Sequence, residues 1–238
     1  MSDTTFPVPR MRHPEGGLSD EFAAIAVVWH RELLRFTRNR LRMVTSLVQP
    51  LLFLFILGSG LSSMLPASGH VNFRTFMFPG ILAMTVFFTA LTSALSIVWD
   101  REFGFMREMM VAPVHRGAIV LGKCAGGATV ATLQGVVMLA LAPLVDVPYG
   151  AGLIVTLVAV MVLAAVSMTA VGLLLSSRMQ QVESFMAVMN FVMLPMFFLS
   201  GAIFPPKGLP GWLSLLTKVD PVTYVVDPIR RTVFAHVQ

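Results

Sequence analysis

Residues 75–99 read TFMFPGILAMTVFFTALTSALSIVW, 25 consecutive residues without a charge. A hydrocarbon layer about 30 Å thick is crossed by roughly 20 residues of helix, so this run is long enough to span a bilayer. Its apolar residues are continuous and show no period-two alternation. That excludes a barrel strand and leaves a helix as the spanning form. Four further apolar runs lie at 43–62, 118–142, 150–175 and 184–204, the second of these carrying Lys123 near its start and the last beginning just after Glu183. Pro50, Pro79 and Pro195 lie inside these runs, where each removes a backbone hydrogen bond and is expected to bend its helix.

The rest of the chain agrees. Of its 238 residues 56% are hydrophobic and 12% charged, and the mean hydropathy is +0.79, outside the balance of a water-soluble domain. Five or six spans fill this length and leave no room for a sizeable soluble domain. The fold class is therefore all-α and polytopic, with spans at about 43–62, 75–99, 118–142, 150–175 and 184–204. The lone Cys124 excludes an internal disulfide and any pair of cysteine ligands.

The positive charges give direction. Arg10, Arg12, Arg31, Arg35, Arg38, Arg40 and Arg42 precede the first run, and Arg101, Arg107 and Arg116 lie between the second and third, with Lys123 at the near end of the third. The intervening loops hold Arg74 or nothing, until Arg178 precedes the fifth run. Cytoplasmic flanks retain Lys and Arg, so the N-terminus is expected inside, with residues 1–18 a flexible cytoplasmic lead. The rule weakens after the fifth run, where Lys207, Lys218, Arg230 and Arg231 fall on the side expected outside. A first apolar run starting near residue 43 is too deep for a cleaved signal peptide.

Two segments on the inner side are amphipathic. Residues 19–42 predict a helix capped by Ser19, with Asp20 and Glu21 in its first turn. Phe22, Ile25, Ala26, Trp29, Leu33 and Phe36 form one stripe, and Arg31, Arg35, Arg38 and Arg42 the other. Such a helix lies in the membrane surface or serves as a basic, solvated topology signal. Binding of nucleic acid would leave its apolar stripe exposed. In residues 100–113, Phe103, Phe105, Met106, Met109, Met110 and Ala112 share one arc, while Arg101, Gly104, Arg107 and Glu108 share another. One face can pack on the membrane domain and the charged one can enter a groove of another protein. A plain interfacial loop explains the charges but not the apolar arc. Pro113 ends the segment, and His115, Arg116 and Gly117 turn the chain back.

Several chemistries are missing. The spacing from Gly117 to Gly122-Lys123 imitates a phosphate-binding loop, but the intervening residues are apolar and Cys124 replaces the metal-binding hydroxyl. Gly122 and Gly126 read better as a helix-packing face. No catalytic motif or metal-ligand cluster is present. His13, His30, His70, His115 and His236 are scattered. The span centres carry no ionisable residue, which argues against ion-coupled transport and for energy supplied by a partner. A channel or an anchoring scaffold without active transport is the alternative, although a channel calls for polar rings that these spans lack.

Two blocks carry a resemblance. Trp99-Asp100-Arg101-Glu102-Phe103-Gly104, continuing through Ala112-Pro113-Val114-His115-Arg116-Gly117 to Gly122-Lys123, is similar to the cytoplasmic segment of ABC-2 type permeases, including the daunorubicin-resistance branch. Phe198-Leu199-Ser200-Gly201-Ala202-Ile203-Phe204-Pro205-Pro206, then Leu209-Pro210-Gly211-Trp212 and Asp220 to Arg230, resembles the same family. Asp220-Pro221 stands where many relatives carry Asn-Pro.

The resemblance implies a type V exporter half. Residues 19–42 would be an interfacial elbow helix, 101–112 a coupling helix, and 204–220 a re-entrant outer segment before a sixth span. That sixth span is expected but missing from this sequence. Arg101, Glu102, Phe103, Gly104, Met106, Arg107, Glu108, Pro113 and Arg116 would couple the chain to an ATP-binding cassette subunit. The chain itself would hold no cofactor, catalytic residue or metal, ATP and Mg²⁺ belonging to the partner. A second permease, identical or related, would complete the assembly in the plasma (inner) membrane, in contact with its lipids and not with nucleic acid. Met84, Phe87, Phe88, Thr89, Met186, Met189, Asn190 and Met193 are candidates for a substrate cavity or for plain helix packing. Flexible methionines and aromatics suit lipophilic drugs or lipids.

Overall fold

The computed structural model describes residues 17–60, 73–105, 115–145, 150–201 and 211–237, and every element assigned there is helical. In chain order these are α1 (Leu18–Arg38), α2 (Arg40–Leu52) running into a π-helical turn (Phe53–Leu57), α3 (Phe73–Glu102), α4 (Arg116–Ala140) with a short 3-10 turn (Ala142–Val145), α5 (Ala151–Ser177), α6 (Val182–Leu199), α7 (Gly211–Val219) and α8 (Thr223–Val237). Five stretches are long and apolar enough to cross a membrane: Met43–Gly60, Thr75–Glu102, Arg116–Ala140, Ala151–Ser177 and Val182–Leu199. They coincide with the five apolar runs.

The first helix begins one residue earlier than its Ser19 cap suggested, with Gly17 extended at the cap position. Asp20 and Glu21 occupy its first turn and Arg35 and Arg38 its last, each sign opposing the helix dipole. It stops at Asn39, whose backbone leaves the helical region and whose N–H donates to the Phe36 carbonyl at 3.1 Å. The predicted single helix to residue 42 is thus divided. Arg40 and Arg42 belong to the start of α2, the first span. In α2, Pro50 removes one rung of the hydrogen-bond ladder, and the wider π turn follows within one turn of helix.

Helix α3 is the centre of the bundle. It packs against α4, α5 and α8, and more sparsely against α2 and α6. Of its most apolar window 72% is buried within the chain, against 17% for Met43–Gly60 and 24% for α6. The latter two therefore present most of their surface outward. Lipid tails are as apolar as Leu, so close packing and interhelical hydrogen bonds hold such helices together rather than exclusion of water. Phe78 and Phe87 of α3, Phe185 and Phe197 of α6 and Met138 of α4 are fully buried. Thr75 of α3 donates to the Val145 carbonyl at 3.0 Å.

At the far end, Asp220 precedes α8 and caps it. Its carboxylate accepts from the Val222 N–H at 2.9 Å and from the Thr223 hydroxyl at 3.4 Å. Burial pushes the Asp220 carboxyl up from 3.8, and those two hydrogen bonds oppose the shift. Arg230 of α8 donates to the Gly201 carbonyl at 2.6 Å and lies 4.9 Å from the centre of the Phe76 ring, which ties α8 to the end of α6 and to α3. Of the expected re-entrant segment 204–220, residues 204–210 lie outside the described residues, and the rest is α7 and its turn.

Candidate functional site

The glycines of α4 decide where α1 sits. A β-carbon on Gly122 would lie 2.7 Å from the Val28 Cβ and 2.9 Å from the Ile25 carbonyl oxygen, and one on Gly126 would lie 2.7 Å from the Glu32 Cβ. The G-x-x-x-G face therefore receives α1, not another span. Trp29 fixes the contact by donating its indole N–H to the Thr129 hydroxyl at 3.1 Å. Along α1 the side chains turned inward are Val28, Glu32 and Phe36, at helical spacing, while Phe22 of the apolar stripe remains exposed. The helix is thus rotated relative to its hydrophobic stripe.

Charge pairing explains the rotation. The Lys123 side chain of α4 is wholly buried and donates to the Asp100 carboxylate at 2.6 Å, to the Glu32 carboxylate at 3.1 Å and to the Ser96 hydroxyl at 3.1 Å. Asp100, also buried, accepts from Arg31 at 2.8 Å and faces Arg35 at 3.6 Å. Arg31 further pairs with Glu32 at 3.4 Å. An unpaired charge so deeply enclosed would cost several kcal/mol, so these groups hold one another in place. Two of the arginines read as a solvated stripe, Arg31 and Arg35, instead reach α3. Arg35 also lies 5.9 Å from the Trp99 ring centre.

One residue further on, α3 clamps a second junction. Arg101 donates to the carbonyls of Ser177 at 3.0 Å and Met179 at 2.8 Å, at the end of α5, where the helix dipole is negative. Glu102 accepts from the Val182 N–H at 2.8 Å, at the start of α6, where the dipole is positive. The turn between α5 and α6 is therefore held at both ends by two consecutive residues of α3.

The expected coupling residues separate accordingly. Arg101 and Glu102 bond to the α5–α6 turn, Glu102 from an exposed position, Phe103 and Arg116 are exposed, and Gly104 adopts φ of +81°, a left-handed conformation that ends α3. Met106, Arg107, Glu108 and Pro113 lie outside the described residues.

The expected cavity residues separate too. Met84, Phe87, Met189 and Met193 are buried in the packed core, and Phe88 stacks between Phe87 and Phe197. Asn190 is exposed. Of these candidates Thr89 and Met186 line an open space, a groove of about 520 Å³ bounded by α1, α2, α3, α4 and, at Met186, α6. Its deep end carries a hydrogen-bond chain across three helices, from the Thr89 hydroxyl to the Gln134 side-chain oxygen and from the Gln134 amide to the Ser46 hydroxyl. Among the described residues no cluster of ligands for a metal ion occurs.

Five lipid-length helices, one of them the buried central span α3, define a multi-pass helical membrane protein. Its family follows from sequence comparison. The profile of the ABC-2 type transporter family matches residues 23–234, and the chain belongs to that family as a transmembrane transport subunit. It is 29% identical over 210 residues to the putative transport permease ycf38 of Cyanophora paradoxa, covering 86% of this chain and 72% of the relative. It is 29% identical over 210 residues to nodulation protein J of Rhizobium meliloti, covering 85% and 78%. It is 30% identical over 161 residues to the probable multidrug ABC transporter permease YbhR of Escherichia coli K12, covering 66% of this chain and 43% of that one.

Proposed function

We propose that the chain is the membrane subunit of an ATP-driven exporter of lipophilic drugs or lipids, working with a separate ATP-binding cassette subunit that holds ATP and Mg²⁺. Family membership implies that partner. A second permease, identical or related, completes the assembly. The arginine-rich end of the bundle faces the cytoplasm of a plasma (inner) membrane, in keeping with the placement of Lys and Arg.

The observation that carries the reading is the double clamp at the end of α3. A push on residues 106–112 reaches α3 through Gly104, whose left-handed backbone makes a sharp corner rather than a continuous helix. From there Arg101 and Glu102 pass it to the α5–α6 turn, and Asp100 passes it through Lys123 and Glu32 to α1. One displacement thereby moves α1, α3, α4 and the α5–α6 junction together. Arg101 and Glu102 act as transmitters, and Met106, Arg107 and Glu108 are assigned the contact with the ATP-binding subunit.

The test is co-purification of the chain with its ATP-binding subunit after exchange of charges, Arg107→Glu together with Glu108→Arg. Loss of association, or of ATP-dependent transport with the complex intact, supports the assignment. Undisturbed association and transport overturn it.

A further inference from the structure

Besides the groove, a pocket of about 670 Å³ lies where the end of α1 meets the end of α3. Arg31, Arg35 and Arg38 line it from α1, at spacings that put them on one helix face, and Asp100 lines it from α3. Asp100 does not make the pocket acidic. It is buried, Lys123 and Arg31 approach its Oδ2 at 2.6 and 2.8 Å, and Arg35 faces its Oδ1 at 3.6 Å. Arg38 is exposed and has no ion pair or side-chain hydrogen bond among the described residues.

The charges do not balance. Arg31, Arg35, Arg38 and the underlying Lys123 stand against Asp100 and Glu32, four minus two, which leaves a surplus of two positive charges. The carbonyl end of α1 contributes about half a negative charge and does not cancel it. The neighbouring stretches of sequence bring no relief. Residues 106–114 hold Arg107 and Glu108, and residues 1–16 hold Arg10 and Arg12 with Asp3 and Glu15, so the side chains of each sum to zero. A ligand suited to this pocket carries negative charge without a cation of its own. Guanidinium groups present planar forks that match the oxygens of a phosphate.

Position selects the carrier of that phosphate. Asn39, at the pocket, ends α1, and the first span opens at Met43, so the pocket lies at the level where a bilayer places its headgroups. Leu34 and Phe105 give it an exposed apolar rim. Leu41, Val44, Val48, Leu52 and Phe55, all exposed, then follow one another every three or four residues along the first span, a stripe suited to acyl chains. We infer that the pocket binds the phosphate of an anionic phospholipid of the adjoining leaflet, held by Arg35 and Arg38 beside Arg31. Arg31 and Arg35 also hold Asp100, so the headgroup and the buried cluster share two arginines.

Binding is measured on the full chain in lipid vesicles, with Trp29→Phe and Trp212→Phe leaving Trp99 as the only tryptophan. Its ring centre lies 5.9 Å from the Arg35 guanidinium. Chain-brominated lipid, which quenches tryptophan emission, is mixed as a minor component into unbrominated phosphatidylcholine, either as phosphatidylglycerol or as phosphatidylcholine. A surplus of two charges, at about fivefold each, should favour phosphatidylglycerol about thirtyfold. Arg38→Gln should reduce the preference about fivefold, and Arg35→Gln with Arg38→Gln should abolish it. Arg40→Gln with Arg178→Gln removes the same charge from exposed positions outside the pocket and should leave the preference within about twofold. Equal quenching by the two lipids, a preference that survives loss of Arg35 and Arg38, or an equal fall with Arg40 and Arg178 overturns the inference.

Inorganic phosphate, added at constant ionic strength, separates the two sources of the anion. Quenching by phosphatidylglycerol that persists supports a lipid site. Release of the brominated lipid by phosphate assigns the pocket to a free phosphate and overturns the lipid. This binding requires neither ATP nor a partner subunit, so its failure is distinguishable from failure of the exporter reading.

Discussion

The charge cluster makes an ordered prediction. Five groups meet there: Arg31, Arg35 and Lys123 are positive, Asp100 and Glu32 negative. Lys123→Met removes contacts of 2.6 Å to Asp100 and 3.1 Å to Glu32, yet both carboxylates keep Arg31, at 2.8 and 3.4 Å. Two positive charges then face two negative ones. The loss should fall near the weight of one or two charge-assisted hydrogen bonds less the restored balance, about 2–3 kcal/mol. Asp100→Asn is worse, because it leaves three positive charges facing Glu32 alone, one of them on a side chain with 0% exposure. That matches the removal of one partner from a buried pair, about 3–5 kcal/mol. The double variant should be less damaging than the sum of the two by about 1–3 kcal/mol. Titration with SDS in mixed micelles, followed by circular dichroism, measures all three. Lys123→Met proving as costly as Asp100→Asn, or strict additivity of the pair, would refute the reasoning.

Three further outcomes follow from single contacts. Gly122→Val places its β-carbon 2.7 Å from Val28 and should cost about 1–3 kcal/mol by forcing α1 off α4, with Trp29 becoming more accessible to acrylamide quenching. Gly104→Ala meets no neighbouring atom within 4 Å, so its cost of about 1 kcal/mol should come from the left-handed backbone alone, and Gly104→Asn should be milder in the same titration. Asp220 has a raised carboxyl pKa in the fold, so the folded chain holds a proton that the unfolded chain releases near 3.8. Its contribution is greatest below 3.8 and is lost as pH rises through the higher folded value, and Asp220→Asn should flatten the SDS-titration stability profile over that window.

The spans were legible because uncharged length is a local property. The run 75–99 became α3, Phe73–Glu102, and the run 150–175 became α5, Ala151–Ser177. The G-x-x-x-G face of Gly122 and Gly126 was legible as packing surface, but not its occupant. Nothing local says that α1 rather than a span would fill it. The clamp escaped for a similar reason. Lys123 reads as one more positive charge flanking a span, and Glu32 belongs to neither stripe of the amphipathic helix. Their pairing joins positions 91 residues apart, and only the close approach at Gly126 brings them together. Hydropathy assigns a charge to water unless a partner is known, which is why Arg31 and Arg35 read as part of a basic stripe at the membrane surface. Met84, Phe87 and Met189 read equally well as cavity wall or core, since both demand apolar side chains at helical spacing, and packing around α3 places them in the core.

The central claim is that this chain moves substrate only when an ATP-binding subunit drives it. Its most direct test is reconstitution of the chain into proteoliposomes, with and without that subunit, measuring translocation of a fluorescent amphiphile with and without ATP. The account predicts translocation only when both subunits and hydrolysable ATP are present. Downhill flux through the chain alone, independent of ATP, would contradict it and favour a channel.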